Sequence, residues 1–240
     1  MFMADDRQAH WLNAQTALNY ARAAVQVGLW ASERILIHQT FPNKSAKILE
    51  LGCGGGRVGL DLAKEGYHHL TVTDFSPVMV DITKGVFAEA SMAQSATIEI
   101  ANACRLTYPD RCWDGVVFAF NGLMCLRGRT DRVEALAEIY RVLKPGGKFL
   151  FTANDREKGE HVDLWKNESV LPGCQKGDRW HETDSTPVFM HSSTESETRQ
   201  ELVNARYKII QSPLRSEVAL EDSRVKKFAG ETRFYIAERP

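Results

Sequence analysis

The run Ile48-Leu49-Glu50-Leu51-Gly52-Cys53-Gly54-Gly55-Gly56-Arg57 constrains this chain more than any other segment. A short apolar stretch runs straight into a cluster of glycines, and residues 57–64 then read as a helix. A strand must therefore bend sharply into a helix. Glycines at 52, 54 and 56 permit the tight turn and let a ligand come close to the main chain. The helix beyond presents free N–H groups and the positive end of its dipole. Gly54-Gly55-Gly56-Arg57-Val58-Gly59 also spells G-x-G-x-x-G. By itself that pattern is only a tight connection. With a strand before it, a helix after it and Asp74 about 20 residues on, it points to a ligand whose ribose hydroxyls an acidic residue accepts.

The rest of the chain repeats the alternation. Residues 47–51 and 70–73 read as strands, the second closed by Asp74. Ser76-Pro77 opens a helix, with Ser as the cap and Pro at the first helical position, running to about Ser91. Residues 97–100 and the continuous apolar run 115–120 are further strands. Thr130-Asp131 begins a helix whose apolar stripe reads as Val133, Leu136, Ala137, Tyr140 and Leu143. Lys144-Pro145-Gly146-Gly147 stops it, and 148–152 is a fifth strand. This order predicts parallel strands with right-handed helical crossovers on both faces. Ligands then bind beyond the carboxyl ends of the strands.

Flanking segments differ. Residues 5–39 read as helical, on the spacing of Trp11, Leu18, Val25 and Leu29, as one helix or as two broken near Gly28. Residues 154–187 have no clear periodicity, as expected of a functional loop or a lid. Thr194-Glu195-Ser196-Glu197 is a capping box before a helix to about Ala205. Residues 207–211 and 233–237 read as closing strands. The expected organisation is one domain over 1–240: a helical cap (1–44), a cofactor-binding core (45–153), a substrate lid (154–190) and a closing helix with strands (191–240).

Composition narrows the function. The 240 residues are 43% hydrophobic and 25% charged, an ordinary globular balance that excludes a disordered chain or fibre. Thirty basic and 31 acidic residues give a net charge of −1 without a long Lys/Arg block, which disfavours bulk nucleic-acid binding. The longest uncharged apolar stretch, 115–126, is too short for a bilayer. Met1 to Asp6 show no basic region leading into an apolar run, so no secretory leader is expected. The five cysteines form no C-x-x-C pair, which argues against a disulfide framework or a cysteine-rich zinc site and suits the cytoplasm.

Two ligand classes compete for the glycine turn: a nicotinamide or flavin dinucleotide, and S-adenosylmethionine. Glu50 bears on the choice. A carboxylate there disfavours an anionic pyrophosphate and favours a sulfonium with an ammonium. Four segments in order resemble the class I S-adenosylmethionine-dependent methyltransferases. These are residues 48–56, the stretch Val72-Thr73-Asp74-Phe75-Ser76-Pro77-Val78-Met79, Ala101-Asn102-Ala103-Cys104 followed by Trp113-Asp114-Gly115-Val116-Val117, and residues 141–149. The resemblance is close over 46–153 and loose over 191–240. It implies an α/β, three-layer Rossmann-like fold: a seven-stranded, mostly parallel sheet with an antiparallel last strand and helices on both faces.

On that resemblance the cofactor-binding residues are Glu50, Gly52, Cys53, Gly54, Gly56, Asp74, Phe75, Ser76, Asn102, Ala103, Cys104 and Phe120. Asn102 stands where many relatives carry Asp; its amide still both donates and accepts. The resemblance implies S-adenosylmethionine as methyl donor and S-adenosylhomocysteine as product. A small-molecule acceptor is expected, with nucleic acid and protein left open, no membrane and an oligomeric state the sequence does not give. No catalytic base is identified. Asn121-Gly122 differs from the Asn-Pro-Pro-Tyr sequence of the amino-methylating DNA enzymes. Competing readings are an NAD(P)-dependent oxidoreductase and a non-catalytic S-adenosylmethionine-binding protein. In the lid, Trp165, Trp180, His161, His181, Asp178 and Glu182 are candidate substrate contacts, and solvated loop residues by the plainer account. Trp11 and Tyr20 either line the cofactor mouth or form a core stripe. His181, His191 and Cys174 lack zinc spacing, so no metal is expected.

Overall fold

The computed structural model describes residues 9–159, 162–166, 174–181 and 187–240. The chain opens with α1 (Ala14–Gln26) and α2 (Ala31–Thr40), two helices broken at Gly28. Strands and helices then alternate as β1 (Lys47–Glu50), α3 (Arg57–Lys64), β2 (His69–Asp74), α4 (Pro77–Glu89) and β3 (Thr97–Ile100). They continue as β4 (Trp113–Phe118), a 3-10 turn (Gly122–Cys125), α5 (Arg129–Val142) and β5 (Leu143–Ala153). Next come α6 (Val162–Lys166), β6 (Asp178–His181), β7 (Val188–His191) and α7 (Glu195–Asn204). β8 (Lys208–Gln211), α8 (Arg215–Val218), α9 (Ser223–Phe228) and β9 (Arg233–Glu238) close the chain.

Seven strands form one sheet in the order β3-β2-β1-β4-β5-β9-β8. The pairs β1·β2, β2·β3, β1·β4 and β4·β5 are parallel, whereas β9 runs antiparallel to both its neighbours. The strand order reverses between β1 and β4, and their carboxyl ends open the crevice there. Side chains alternate faces along each strand, so each strand feeds two cores. Ile48, Val72, Val117 and Ile236 pack with α2, α3 and α4 residues such as Leu36, Leu62 and Phe87. Leu49, Val116, Phe149 and Tyr235 pack with Leu136 and Ile139 of α5 and Leu202 of α7. Burying each such side chain contributes roughly 1.5–3 kcal/mol.

Local signals fall where the sequence places them at the helix starts. Ser76 Oγ accepts from Met79 N, with Pro77 at the first helical position. Thr194 Oγ1 accepts from Glu197 N, and Glu197 Oε2 accepts in return from Thr194 N.

Four features depart from expectation. β4 ends at Phe118, not at Phe120, because Phe120 (φ 51) and Asn121 (φ 61) take left-handed backbone. The core face of α5 is Arg132, Ala135, Leu136, Ile139 and Val142, while Val133 and Ala137 face solvent. A buried arginine occupies a core-facing position, and apolar periodicity phases the stripe wrongly as a result. Lys144-Pro145-Gly146-Gly147 lies inside β5 as an irregular start, next to a register shift between Trp113 and Gly115. Within 154–187, β6 forms an antiparallel hairpin with β7, which the mixed composition hides.

One buried ion pair ties the N-terminal helices to the glycine turn. Glu33 of α2 is wholly buried and grips Arg57 with both oxygens, at 2.5 and 2.6 Å. Glu33 Oε2 also accepts from Trp30 N, and Arg57 Nη1 donates to Gly28 O. Removing one partner strands the other charge in the interior. Glu33→Ala is therefore expected to cost about 3–5 kcal/mol, read as a lower urea midpoint at unchanged m; an unmoved midpoint would contradict the assignment.

Candidate functional site

The glycine turn is shaped from both sides. Gly52 (φ 62) and Gly54 (φ 56) hold left-handed backbone at the end of β1. A Cβ on Gly52 would sit 2.6 Å from the Phe118 ring, and one on Gly122 would sit 2.1 Å from it. Phe118 is thus wedged between two glycines at the strand ends. A Cβ on Gly55 would lie 2.4 Å from the Tyr20 carbonyl carbon. Gly55 therefore lets helix α1 dock on the turn.

Above the strand ends lies a cavity of about 290 Å³. Gly52 and Gly54 form part of its floor, and Asp74 at the end of β2 faces the turn. Asp74 Oδ2 accepts from Gly54 N at 3.0 Å, and Oδ1 accepts from Ser76 N at 3.0 Å. The carboxylate thus also braces Ser76, the N-cap of α4. Each oxygen keeps a further lone pair for a ligand hydroxyl. Burial pushes the Asp74 carboxyl up to about 6, against the lowering effect of the Ser76, Gly54 and Phe75 amides.

Phe75, Asn102, Ala103, Cys104 and Phe120 also line the cavity. Asn102 Oδ1 accepts from Cys104 N at 2.9 Å, so its amide nitrogen is the group left to donate to a ligand. Cys104 Sγ lies 3.3 Å from the Asp131 carbonyl, and burial pushes its thiol up to about 11. It contributes a surface, not a nucleophile.

Glu50, Cys53, Gly56 and Ser76 lie one layer away from the cavity wall. Cys53 fills the turn near Thr83 Oγ1, and Gly56 (φ 82) lets Thr83 and Phe87 of α4 approach. Ser76 Oγ donates to Trp11 O at 2.6 Å and so latches the N-terminal segment to α4. Glu50 is buried beneath the turn, with Oε2 against Gly59 and no hydrogen-bond partner for that oxygen. Burial pushes its carboxyl up to about 8, against the lowering pull of Arg57.

An aromatic wall completes the cavity. Trp11 and Tyr20 both line it, so the N-terminal segment covers the mouth. Phe228 of α9 stacks on Phe120 at 4.8 Å and 19°. Tyr20 and Trp30 meet Phe120 edge-on at 6.4 and 5.7 Å. Cys125, Leu126, Arg127 and Asp131 line the cavity as well, without having been singled out in the sequence. Only their place just after β4 signals them; for Phe228 no local signal exists.

The lid candidates lie elsewhere. His161 and Glu182 fall outside the described residues. Asp178 pairs with His191 at 2.7 Å, Trp165 packs under Arg179, and His181 sits in the β6–β7 hairpin. Trp180 meets a cavity-lining residue through the cation–π contact of Arg127 at 5.4 Å. Among the described residues no group of three or more His, Cys, Asp or Glu side chains could hold a metal ion, and no helix is long and apolar enough to cross a membrane.

Residues 48–147 match the family model described as a methyltransferase domain. A ubiquinone/menaquinone biosynthesis C-methyltransferase of Rickettsia akari is 34% identical over 152 residues, covering 60% of this chain and 58% of that protein. A demethylmenaquinone methyltransferase of Symbiobacterium thermophilum is 30% identical over 138 residues, covering 56% and 52%. The chain thus spans between half and three fifths of these curated relatives. The solved structure of a SAM-dependent methyltransferase from Methanosarcina mazei has the same fold, with a TM-score of 0.70, 22% identity and coverage of 85% and 96%.

The Glu50 carboxyl gives a sign to test. Its folded value of about 8 lies above the ordinary 4.5, so its contribution to stability is complete below about 4.5 and is lost as pH rises through about 8. Glu50→Gln removes that titration. The melting temperature of the variant should gain on the wild type between pH 5 and pH 8.5, and parallel curves would contradict the burial argument.

Proposed function

We propose that this chain, whose residues 48–147 match the methyltransferase-domain family model, is a class I S-adenosylmethionine-dependent methyltransferase that moves a methyl group from S-adenosylmethionine to a small-molecule acceptor by in-line displacement, leaving S-adenosylhomocysteine. The observation that carries this is the left-handed glycine turn with the Asp74 carboxylate hydrogen-bonded across it to Gly54 N. The charge pattern agrees. The arginine of the turn is already clamped by Glu33, and a buried carboxyl lies below. A cationic ligand suits that setting better than a pyrophosphate. The names of the two relatives support a quinone ring as the acceptor. We assign 1–240 as one unit, with 1–44 as the cap and 154–190 as an insert that meets a cavity-lining residue through the Arg127–Trp180 contact. Five free thiols fit a reducing compartment such as the cytoplasm.

When bound, the cofactor supplies a methyl group on a sulfonium, whose departure as a neutral thioether needs no acid. The chain's residues then have three tasks. Asp74 accepts the ribose hydroxyls, and the amide of Asn102 donates to the base. The turn at Gly52 and Gly54 lets the ligand lie against main chain. Tyr20, Phe120 and Phe228 exclude water from the reacting end. Such positioning can supply on the order of 7–11 kcal/mol of a barrier when alignment is complete. Tyr20 and Cys125 line the cavity, but burial raises both, the thiol to about 12 and the phenol well above its usual value. Neither acts as a base at neutral pH. A base is required only for an acceptor that carries a proton there.

Asp74→Ala removes charge-assisted ribose contacts, so S-adenosylmethionine affinity should fall roughly 10- to 100-fold by calorimetry. Unaltered affinity would refute the placement. Methyl-labelled cofactor incubated with reduced demethylmenaquinone should give ring-labelled quinol at the same oxidation level, the displaced ring proton leaving to solvent. Cofactor binding without transfer to that acceptor or to a wider panel would favour a non-catalytic binding protein.

A further inference from the structure

Two consecutive non-glycine residues, Phe120 (φ 51) and Asn121 (φ 61), stand in left-handed backbone where β4 ends. Such a conformation costs of order 1–3 kcal/mol per residue and persists only where the surroundings enforce it. Asn121 supplies the enforcement. Its N–H donates to Thr152 Oγ1 at 2.9 Å, and Nδ2 donates to Asn154 Oδ1 at 3.1 Å. Its Oδ1 lies 3.2 Å from the Thr232 hydroxyl, which is also 3.0 Å from the Ala153 carbonyl. The side chain is 6% exposed and faces the protein interior, while the flanking Phe120 and Gly122 line the cavity.

Thr232 links this turn to a second segment. Arg215 N donates to Thr232 O at 2.8 Å, and Arg215 Nη1 donates to Ala229 O at 3.0 Å. Both ends of the stretch after Phe228 are thereby held. Asn121 is next to Phe120 in sequence and bonded to the segment that carries Phe228, so one side chain sets both rings of the stacked pair. The charged residues lining the cavity are Arg57, Asp74, Arg127 and Asp131, and Arg127 lies over the Trp180 ring at 5.4 Å. Arg57, 6.0 Å from the Phe120 centroid, is neutralised by Glu33. The Asp131 carbonyl lies 3.3 Å from Cys104 Sγ.

Resting on the methyltransferase reading, we propose that Asn121 is a positioning residue that sets Phe120 against Phe228, and that this pair recognises the flat, uncharged ring of the acceptor. Aromatic faces favour offset stacking or edge contact with another ring, which a puckered skeleton does not offer. Phe228, half-buried on a short helix, is the member that an entering ring meets.

The test uses full-length protein loaded with S-adenosylhomocysteine and two calorimetric probes, 2-naphthol and its saturated counterpart 2-decalol. Wild type should bind 2-naphthol more tightly than 2-decalol by about three- to tenfold. Asn121→Gly tolerates the left-handed backbone yet lacks the side-chain bonds. It should keep a near-native melting temperature and S-adenosylhomocysteine affinity while losing 2-naphthol affinity several-fold. Asn121→Ala should lose both stability and 2-naphthol affinity. Equal binding of the two probes, or undiminished 2-naphthol binding by Asn121→Gly, overturns the proposal. Affinity losses that merely track melting temperature across the two variants overturn it too. Failure of wild type to bind S-adenosylhomocysteine overturns the cofactor reading beneath it, a separate and recognisable result.

Discussion

Helix α1 lies so close to the glycine turn that a methyl group does not fit between them. The missing side chain at Gly55 lets the Tyr20 backbone approach to a distance that any Cβ would forbid. That approach puts the Tyr20 ring over Gly54 and brings Trp11 to Ser76. On the other side, the Phe118 ring occupies the space that side chains at Gly52 and Gly122 would take. The turn is therefore a packing solution before it is a binding solution. Main chain meets main chain above, an aromatic ring fills the space beside it, and the cavity is what remains.

Three carboxyls around the turn are buried, and each is handled differently. Glu33 is paired with Arg57. Asp74 takes backbone amides on both oxygens, and its carboxyl still rises to about 6 through burial. Glu50 leaves one oxygen without a partner and rises to about 8. The gradation follows the supply of partners, since an unpaired buried charge is the costly case. At neutral pH the site thus presents one fixed ion pair and one amide-bound carboxylate, above an acid that burial holds toward its protonated form. A positively charged ligand nearby favours ionisation of that acid, whereas an anion keeps it protonated.

Elements whose rules are local were legible in the sequence. The helix 57–64, the strand 97–100 and the caps at Ser76 and Thr194 depend on residues within a few positions, and the structure places them there. The α5 stripe was not legible, because Arg132 occupies a core-facing position and its buried guanidinium breaks the apolar code. The end of β4 was misread for a related cause. Phe120 continues an apolar run, yet its backbone turns left under bonds from Thr152, Asn154 and Thr232, at distances of 31 to 111 residues from Asn121. The β6–β7 hairpin was hidden by a charged, aromatic composition without alternation. At the cavity, Gly52, Gly54 and Asp74 belong to one contiguous motif, whereas Phe228 enters from α9 through a tertiary contact that leaves no trace in its own neighbourhood.

That division has a functional counterpart. The glycine turn, Asp74 and Asn102 all lie within residues 48–147, the segment matched by the family model. Of the aromatic wall, Phe120 lies inside that segment, while Tyr20 and Phe228 lie outside it. On the proposed reading the cofactor end lies within the matched segment, whereas the acceptor end joins Phe120 of that segment to rings from outside it. On the same reading, a chain that keeps this turn and this carboxylate meets a different acceptor when the rings outside the matched segment, Tyr20 and Phe228, are replaced. Asn121 is where the two parts join. Its backbone belongs to the shared core, and its side-chain oxygen reaches Thr232, beyond the matched segment. On the proposed reading the register of the acceptor wall depends on this one buried amide, which bonds the matched segment to residues beyond it.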